Sequence, residues 1–417
     1  MTVRCRVLGT TFATAPALLA SMGWADDTGA SPLVPADPRA LAFLGQLSRE
    51  LLRGAGRAFP ELVALGFFLR PGELARVLAD QTRRTADDVV RAPRGMVFHV
   101  PPANVDTIFV YSWALALLAG NLNVVRLSER TDGPAARALL QAVTDAMGDA
   151  DPVIALTQRI VSYGHDDAVT AALSAACDLR VIWGGDASVE RLRAFALAPR
   201  ARELTFPDRF SMAVVGADGY LAMDPHERDR IAVGMFNDAY WFDQAACASP
   251  RLVVLVGAAT RTAAAGDDLF ARLGRVIDRK GYRVDTAMAM EKRVAAATLA
   301  LDGVATHVDW RSNELVVVRV DGAPSRTHAG AGTFQLLAVS DLHDLVPLVR
   351  RRDQTLTHAG IAAAELRDLV RALNGRGVDR VVPVGQALTF ASVWDGEDLL
   401  EVFARRVSVA RPAVAVG

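Results

Sequence analysis

From Arg94 onward, short apolar runs alternate with longer amphipathic stretches, and this alternation restricts the fold more than any other feature. Residues 96–100, 123–127, 159–163 and 179–183 are strand-length and apolar, and turn-forming residues bound them. Between them the spacing predicts helices over 107–119, from Gly133-Pro134, through Cys177, and from Gly184-Gly185-Asp186 to about 196. Strands separated by helices connect through right-handed crossovers, which builds a parallel sheet covered on both faces. Residues 203–205 and 212–215 close this half. A second half from about Gly216 predicts helices over 225–236, 267–280, 290–300, 342–351 and 362–373. Its strands are expected over 251–256, 305–308, 314–320 and 380–384, followed by a turn at Trp394-Asp395-Gly396 and a last helix and strand. Ahead of Arg94, Asp37-Pro38 is a helix-start signal, and Leu41, Leu44, Leu47, Leu51 and Leu52 mark one helical face. Pro60 and Pro71 open two further short helices.

A chain of 417 residues is long for one core, so two domains are expected. Net charge is −1 with both signs interspersed, which gives no support to a nucleic-acid or anionic-membrane partner. The only lysines are Lys280 and Lys292, leaving almost no candidate for Schiff-base chemistry. Arg4, Arg6 and the mildly apolar stretch after them loosely imitate a signal peptide. Thr10, Thr11, Thr14 and Pro16 interrupt it, and no run of about 18 apolar residues is long enough for a membrane span. A reducing cytoplasm is the expected compartment, because three scattered cysteines make no disulfide framework. The seven histidines show no metal-ligand spacing, so no metal is expected.

One stretch stands out chemically: FNDAYWFDQAACASP, residues 236–250. Cys247 sits among alanines and leads into an apolar strand, so a substrate has room to approach the thiol. The alternative is a buried structural cysteine, the commonest fate of a free thiol. Cys177 ends an alanine-rich helix and reads as core, and Cys5 reads as an N-terminal bystander. No GxGxxG follows any strand, so the usual dinucleotide fingerprint is missing.

Four segments, in order, resemble the aldehyde dehydrogenase superfamily and within it the LuxC-like acyl-CoA reductases. HVPPANVDT (99–107) resembles the Pro-x-Asn turn, and GNLNVVRLSER (120–130) the adenosine-side strand. RVIWGGDASVERLR (180–193) is similar to the strand, turn and helix by the cofactor phosphates, and FDQAACASP (242–250) to the nucleophile loop. VDRVVPVGQALTFASVWDGEDLL (378–400) is similar to the LuxC-like C-terminal region in particular. The chain departs from the pattern in three places. The Glu-Leu-Gly-Gly segment, whose glutamate serves hydrolysis, is replaced by ARELTFPDRFS (201–211), where Glu203 lies off the expected offset from Ser211. The usual lysine is Arg126, and the glutamine expected two residues before the nucleophile is Gln244, three before it.

The resemblance implies an α/β fold with a Rossmann-type parallel-sheet cofactor domain and a second α/β catalytic domain. The expected divisions are a helical lead-in over 1–90, an NAD(P)-binding domain over 91–215, a thiol domain over 216–384 and a returning, oligomerising segment over 385–417. It implies attack of Cys247 on an acyl thioester, with coenzyme A or an acyl carrier protein as donor and a partner acyl-transferring enzyme as a further source. NAD(P)H-dependent reduction to an aldehyde then follows, in a homo-oligomer. Aldehyde oxidation to an acid and a non-reducing acyl-relay or scaffold role are the alternatives. Asn104 is implied as the oxyanion donor, its alternative being an Asx turn. Arg126, Ser128, Glu129, Gly184 and Gly185 are implied to bind the cofactor. Arg126 favours the 2′-phosphate of NADPH, Glu129 the free hydroxyl of NADH, and NADPH is preferred. For Gly184-Gly185 a plain helix-entry turn is the alternative. No cation adjacent to Cys247 in sequence lowers its pKa, so a helix N-terminus or backbone amides would have to serve. His358 is a further residue near the family's catalytic face.

Overall fold

Two seven-stranded sheets divide the chain into two compact units, one ending at Pro207 and resuming at Phe390, the other running Asp208–Thr389. This computed structural model describes residues 2–7, 9–24, 31–86, 88–102, 108–129 and 131–410.

In the first unit the strands are β1 (Val3–Cys5), β2 (Thr11–Phe12), β3 (Val89–Pro93), β4 (Met96–Val100), β5 (Leu122–Leu127), β6 (Gln158–Ser162), β7 (Leu179–Trp183) and β8 (Arg202–Phe206). The sheet order is β2-β1-β6-β5-β4-β7-β8. β4 through β8 pair in parallel, and β1 joins antiparallel to β2 and β6. The helices are α1 (Ala15–Ser21), α2 (Pro38–Arg53), α3 (Pro60–Phe68), α4 (Pro71–Arg83), α5 (Ile108–Leu118), α6 (Pro134–Gly148), α7 (Pro152–Thr157), α8 (Asp167–Ala176) and α9 (Asp186–Arg193). Asp37 caps α2 by accepting the Arg39 N–H at 3.0 Å, with Pro38 at the first helical position. α5 carries apolar residues all round, and every one of its residues is buried. Under it, His99 is held at both ring nitrogens, by Ser112 and by Asn123, each at 3.0 Å. Burial pushes its pKa down to about 4.

The second unit holds β9 (Phe210–Gly216), β10 (Pro250–Val256), β11 (His307–Trp310), β12 (Val316–Val320), β13 (Thr333–Val339), β14 (Asp353–Ala359) and β15 (Arg380–Pro383). Their order is β11-β12-β13-β10-β9-β14-β15, parallel except at β11. Its helices are α10 (Ala217–Ala222), α11 (Pro225–Tyr240), α12 (Ala259–Lys280), α13 (Thr286–Leu301) and α14 (Ala363–Leu373). α12 ends where Gly281 turns left-handed at φ 64. The chain then re-enters the first unit with β16 (Val393–Trp394), β17 (Glu397–Asp398), α15 (Leu399–Val402) and β18 (Ala404–Ser408), the last pairing antiparallel with β3.

The division falls at 207/208 rather than 215/216 because β9 forms its ladders with β10 and β14. The returning segment starts at Phe390, not 385. The leading 90 residues are more than helical, since β1 and β2 extend the first sheet and Cys5 is buried in β1. The helix expected over 342–351 is only a 3₁₀ turn, Leu342–Leu345. Besides β1, β2 and β3, the sequence reading lacks two strands of the second sheet, β13 and β14. β14 reads DQTLTHA, and its buried Gln354, Thr355 and Thr357 hid an interior strand behind polar letters.

Candidate functional site

Cys247 lies in the second unit, between the end of α11 and the start of β10. The connection is tight: Asp243 and Gln244 both take left-handed φ, 50° and 56°, which a non-glycine residue adopts only when its surroundings hold it there. Gln244 provides the hold. Its fully buried side-chain amide donates to the carbonyls of Pro250 (2.9 Å) and Thr333 (3.3 Å) and accepts the Thr333 N–H (3.0 Å). The cysteine loop is thereby tied to its own exit strand and to the start of β13. On the outer side, the Tyr282 hydroxyl donates to Asp243.

The Cys247 backbone is gripped from β9. The buried Ser211 hydroxyl donates to the Cys247 carbonyl at 2.7 Å and accepts the Thr355 N–H at 3.2 Å. Two residues on, the Ser249 hydroxyl donates to the Asp238 carbonyl at 2.7 Å. The Asp238 carboxylate in turn accepts the N–H groups of Gly385 (2.6 Å) and Ala387 (2.9 Å). Burial pushes its pKa up to about 7.

Cys247 itself is half-buried, whereas Cys5 and Cys177 are buried. Burial raises the pKa of both the latter, Cys177 to about 12, and the Cys177 thiol is turned onto the Ser174 carbonyl. These two are core residues. The Arg251 guanidinium interacts electrostatically with the Cys247 thiol and is anchored by donating to the Gln244 carbonyl at 3.1 and 3.2 Å. Burial lowers the pKa of Arg251. The sequence carried a trace of this, an arginine inside the otherwise apolar run RLVVLV. His328 also arrives here, its ring within reach of the Asp243 and Gln244 backbone carbonyls. Desolvation and the Arg251 charge lower its pKa. Nothing in the sequence pointed to it, since only the loop before β13 carries it here. His358 lies half-buried on β14, its pKa lowered by desolvation.

In the first unit a cleft of about 340 Å³ opens at the C-terminal ends of β4 and β7. Pro101 and Pro102 line it after β4, together with Arg126, Ser128, Gly184 and Gly185, four of the five residues expected to bind the cofactor. Arg126 stacks its guanidinium over the Tyr163 ring at 5.1 Å, and its buried Nε has no partner among the described residues. A guanidinium lining a cleft suits a phosphate oxygen. His165, Ser188 and Arg191 join the lining and were not anticipated. Neither Gly184 nor Gly185 needs a left-handed φ, and the Gly184 N–H is already given to the Phe206 carbonyl at 3.1 Å. The first turn of α9, which Gly185 caps without a side-chain bond, is the nearer source of N–H groups for an anion. Glu129 is exposed and not among the lining residues. Asn104 lies outside the described residues. Glu203 is fully engaged: both its oxygens accept from arginines, Arg180 and Arg193. Among the described residues no cluster suits a metal and no helix is long and apolar enough to cross a membrane.

Two parallel-sheet units with the thiol loop ahead of a central strand define an aldehyde-dehydrogenase-like protein. Solved structures share the architecture: an aldehyde dehydrogenase of Mycobacterium tuberculosis complexed with NAD+ superposes with a TM-score of 0.66 at 16% identity, covering 98% of this chain and 95% of that one. A P. syringae indole-3-acetaldehyde dehydrogenase variant, in complex with NAD+ and IAA, gives 0.65 at 16% identity, covering 98% and 92%. Residues 75–406 match the family described as acyl-CoA reductase (LuxC), and the chain belongs to that family. The long-chain acyl-protein thioester reductase of Aliivibrio fischeri is 24% identical over 347 residues, 80% of this chain and 68% of that protein.

Proposed function

We propose that the protein reduces an acyl thioester to the aldehyde through an acyl intermediate on Cys247, with NADPH as reductant. The observation that supports this most is the contrast among the cysteines: one half-exposed thiol on a braced loop beside a cation, two sealed in the core. The Arg251 charge favours the thiolate, which attacks the thioester carbonyl. The donor's carbon–sulfur bond breaks, and its sulfur leaves as a thiolate that takes a proton from solvent. One thioester replaces another, so the exchange is nearly thermoneutral. The nicotinamide, when bound, supplies two electrons and a hydrogen to the acyl carbon. The resulting thiohemiacetal oxyanion on Cys247 collapses, breaking the carbon–sulfur bond to release aldehyde and return the Cys247 thiolate. Asn104, by the family resemblance, donates to the carbonyl oxygen as charge develops on it.

The first unit is the cofactor domain in this reading and the second the thiol domain. Arg126, Ser128 and the N-terminus of α9 would hold the adenosine phosphates. NADPH is preferred to NADH because Arg126 lines the cleft while Glu129 does not. Hydrolytic aldehyde oxidation is disfavoured, because Glu203 is bound to two arginines. The Aliivibrio relative's description, a reductase of acyl-protein thioesters, supports a protein-borne acyl donor, with coenzyme A as the simpler substitute. Intact-protein mass spectrometry after incubation with long-chain acyl-CoA tests the proposal. One acyl adduct is expected, mapping to Cys247, absent in Cys247→Ala and discharged as aldehyde on adding NADPH. An adduct on Cys177, or thioester reduction by Cys247→Ala, would end it.

A further inference from the structure

A second pocket, of about 510 Å³, lies at the opposite edge of the first sheet, by the N-terminal ends of β4, β7 and β8. The strands are five residues long, so roughly 16 Å of sheet separates it from the cleft at their other ends. We propose that this pocket binds a phosphate-bearing anion carrying two or more negative charges.

Five arginines line it (94, 200, 202, 405 and 406) against two carboxylates, Asp178 and Glu401. Both carboxylates are already engaged. Asp178 accepts the Met96 N–H at 3.0 Å and faces Arg200 at 3.4 Å. Glu401 pairs with Arg91 and stands 4.0 Å from Arg406. Arg94 spends its guanidinium on two neutral carbonyls, Val402 and Ala404, each at 2.6 Å. Arg202 and Arg405 are exposed and have neither an ion pair nor a side-chain hydrogen bond among the described residues. Burial first, and then Arg202 and Arg405, lower the pKa of Arg94, so the group is a crowd of like charges around a half-buried cation. An arriving anion relieves that repulsion, and planar guanidinium forks match phosphate oxygens. The concavity is of small-ligand size. Ala404 is the one apolar residue lining it, so it offers no hydrophobic anchor of the kind a protein partner uses.

The test is calorimetric titration of the full chain with inorganic pyrophosphate, ADP, adenosine and poly-glutamate. A saturable pyrophosphate component is expected that Arg202→Ser/Arg405→Ser weakens at least tenfold and Arg126→Ala leaves intact. Adenosine should not bind there. ADP binding tighter than pyrophosphate at this component assigns a nucleotide source, whereas equal affinity assigns free phosphate. Thermal midpoints control for folding: without ligand the double variant should match or exceed wild type, and pyrophosphate should raise only the wild-type midpoint. Should the double variant not fold, Arg405→Ser on exposed β18 is read for the same weakening. No saturable binding, equal binding in the variants, loss in Arg126→Ala instead, or binding of poly-glutamate without pyrophosphate overturns the proposal.

Discussion

Replacing Gln244 with alanine should damage stability and chemistry together. The side chain is fully buried and makes three hydrogen bonds, to the Pro250 carbonyl and to both the carbonyl and N–H of Thr333. At about 1 kcal/mol net each, the bonds alone amount to ~3 kcal/mol, and unpaired buried partners raise the loss toward ~5 kcal/mol. The same bonds hold two consecutive left-handed residues, Asp243 and Gln244, and the Gln244 carbonyl anchors Arg251. Relaxation of that strained turn therefore moves both the thiol and its cation. Urea unfolding followed by fluorescence measures the first effect, and the rate of Cys247 acylation by acyl-CoA, read by mass spectrometry, measures the second. Acylation should slow at least tenfold under conditions where the variant stays folded. Gln244→Met, which keeps the bulk but not the bonds, should fail in the same way. A variant within about 0.5 kcal/mol of wild type that acylates at the normal rate would refute the assignment of Gln244 as the brace.

Three further outcomes are expected. Arg126→Ala should erode a preference for NADPH over NADH by roughly ten- to hundredfold, the value of one charge-assisted phosphate contact, read from steady-state KM for both cofactors. Asn104→Ala should lower kcat by about 10²–10³ with little change in KM, and Asn104→Asp should be worse; an active Asn104→Asp enzyme would instead mark a turn former. His99 is buried neutral with a pKa of about 4, so the unfolded chain takes up its proton first, near pH 6.5. Stability should therefore fall as pH drops from 6.5 to 4, by ~3 kcal/mol more in wild type than in His99→Gln, measured by denaturant unfolding at each pH.

Much of this protein was legible in the order of its residues. Period and punctuation gave β4, β5, β7, α6 and α9 within a few residues, because each buries its own apolar face beside its own turn signals. The cysteine loop between α11 and β10 was visible because alanines and a strand surround Cys247 locally. What the sequence could not carry was pairing across distance. β14 is interior because β9 and β15 supply its ladders, which no count of its polar letters reveals. The boundary at Pro207 depends on which sheet β9 joins, and Glu203 looks like a spare base until Arg180 and Arg193 close on it. The bracing of Cys247 comes from Ser211, 36 residues before it, and the Gln244 clamp reaches 89 residues forward to Thr333. A hydrogen bond is a statement about ångströms, and a linear sequence fixes such separations only for near neighbours; the rest are set when the sheets assemble.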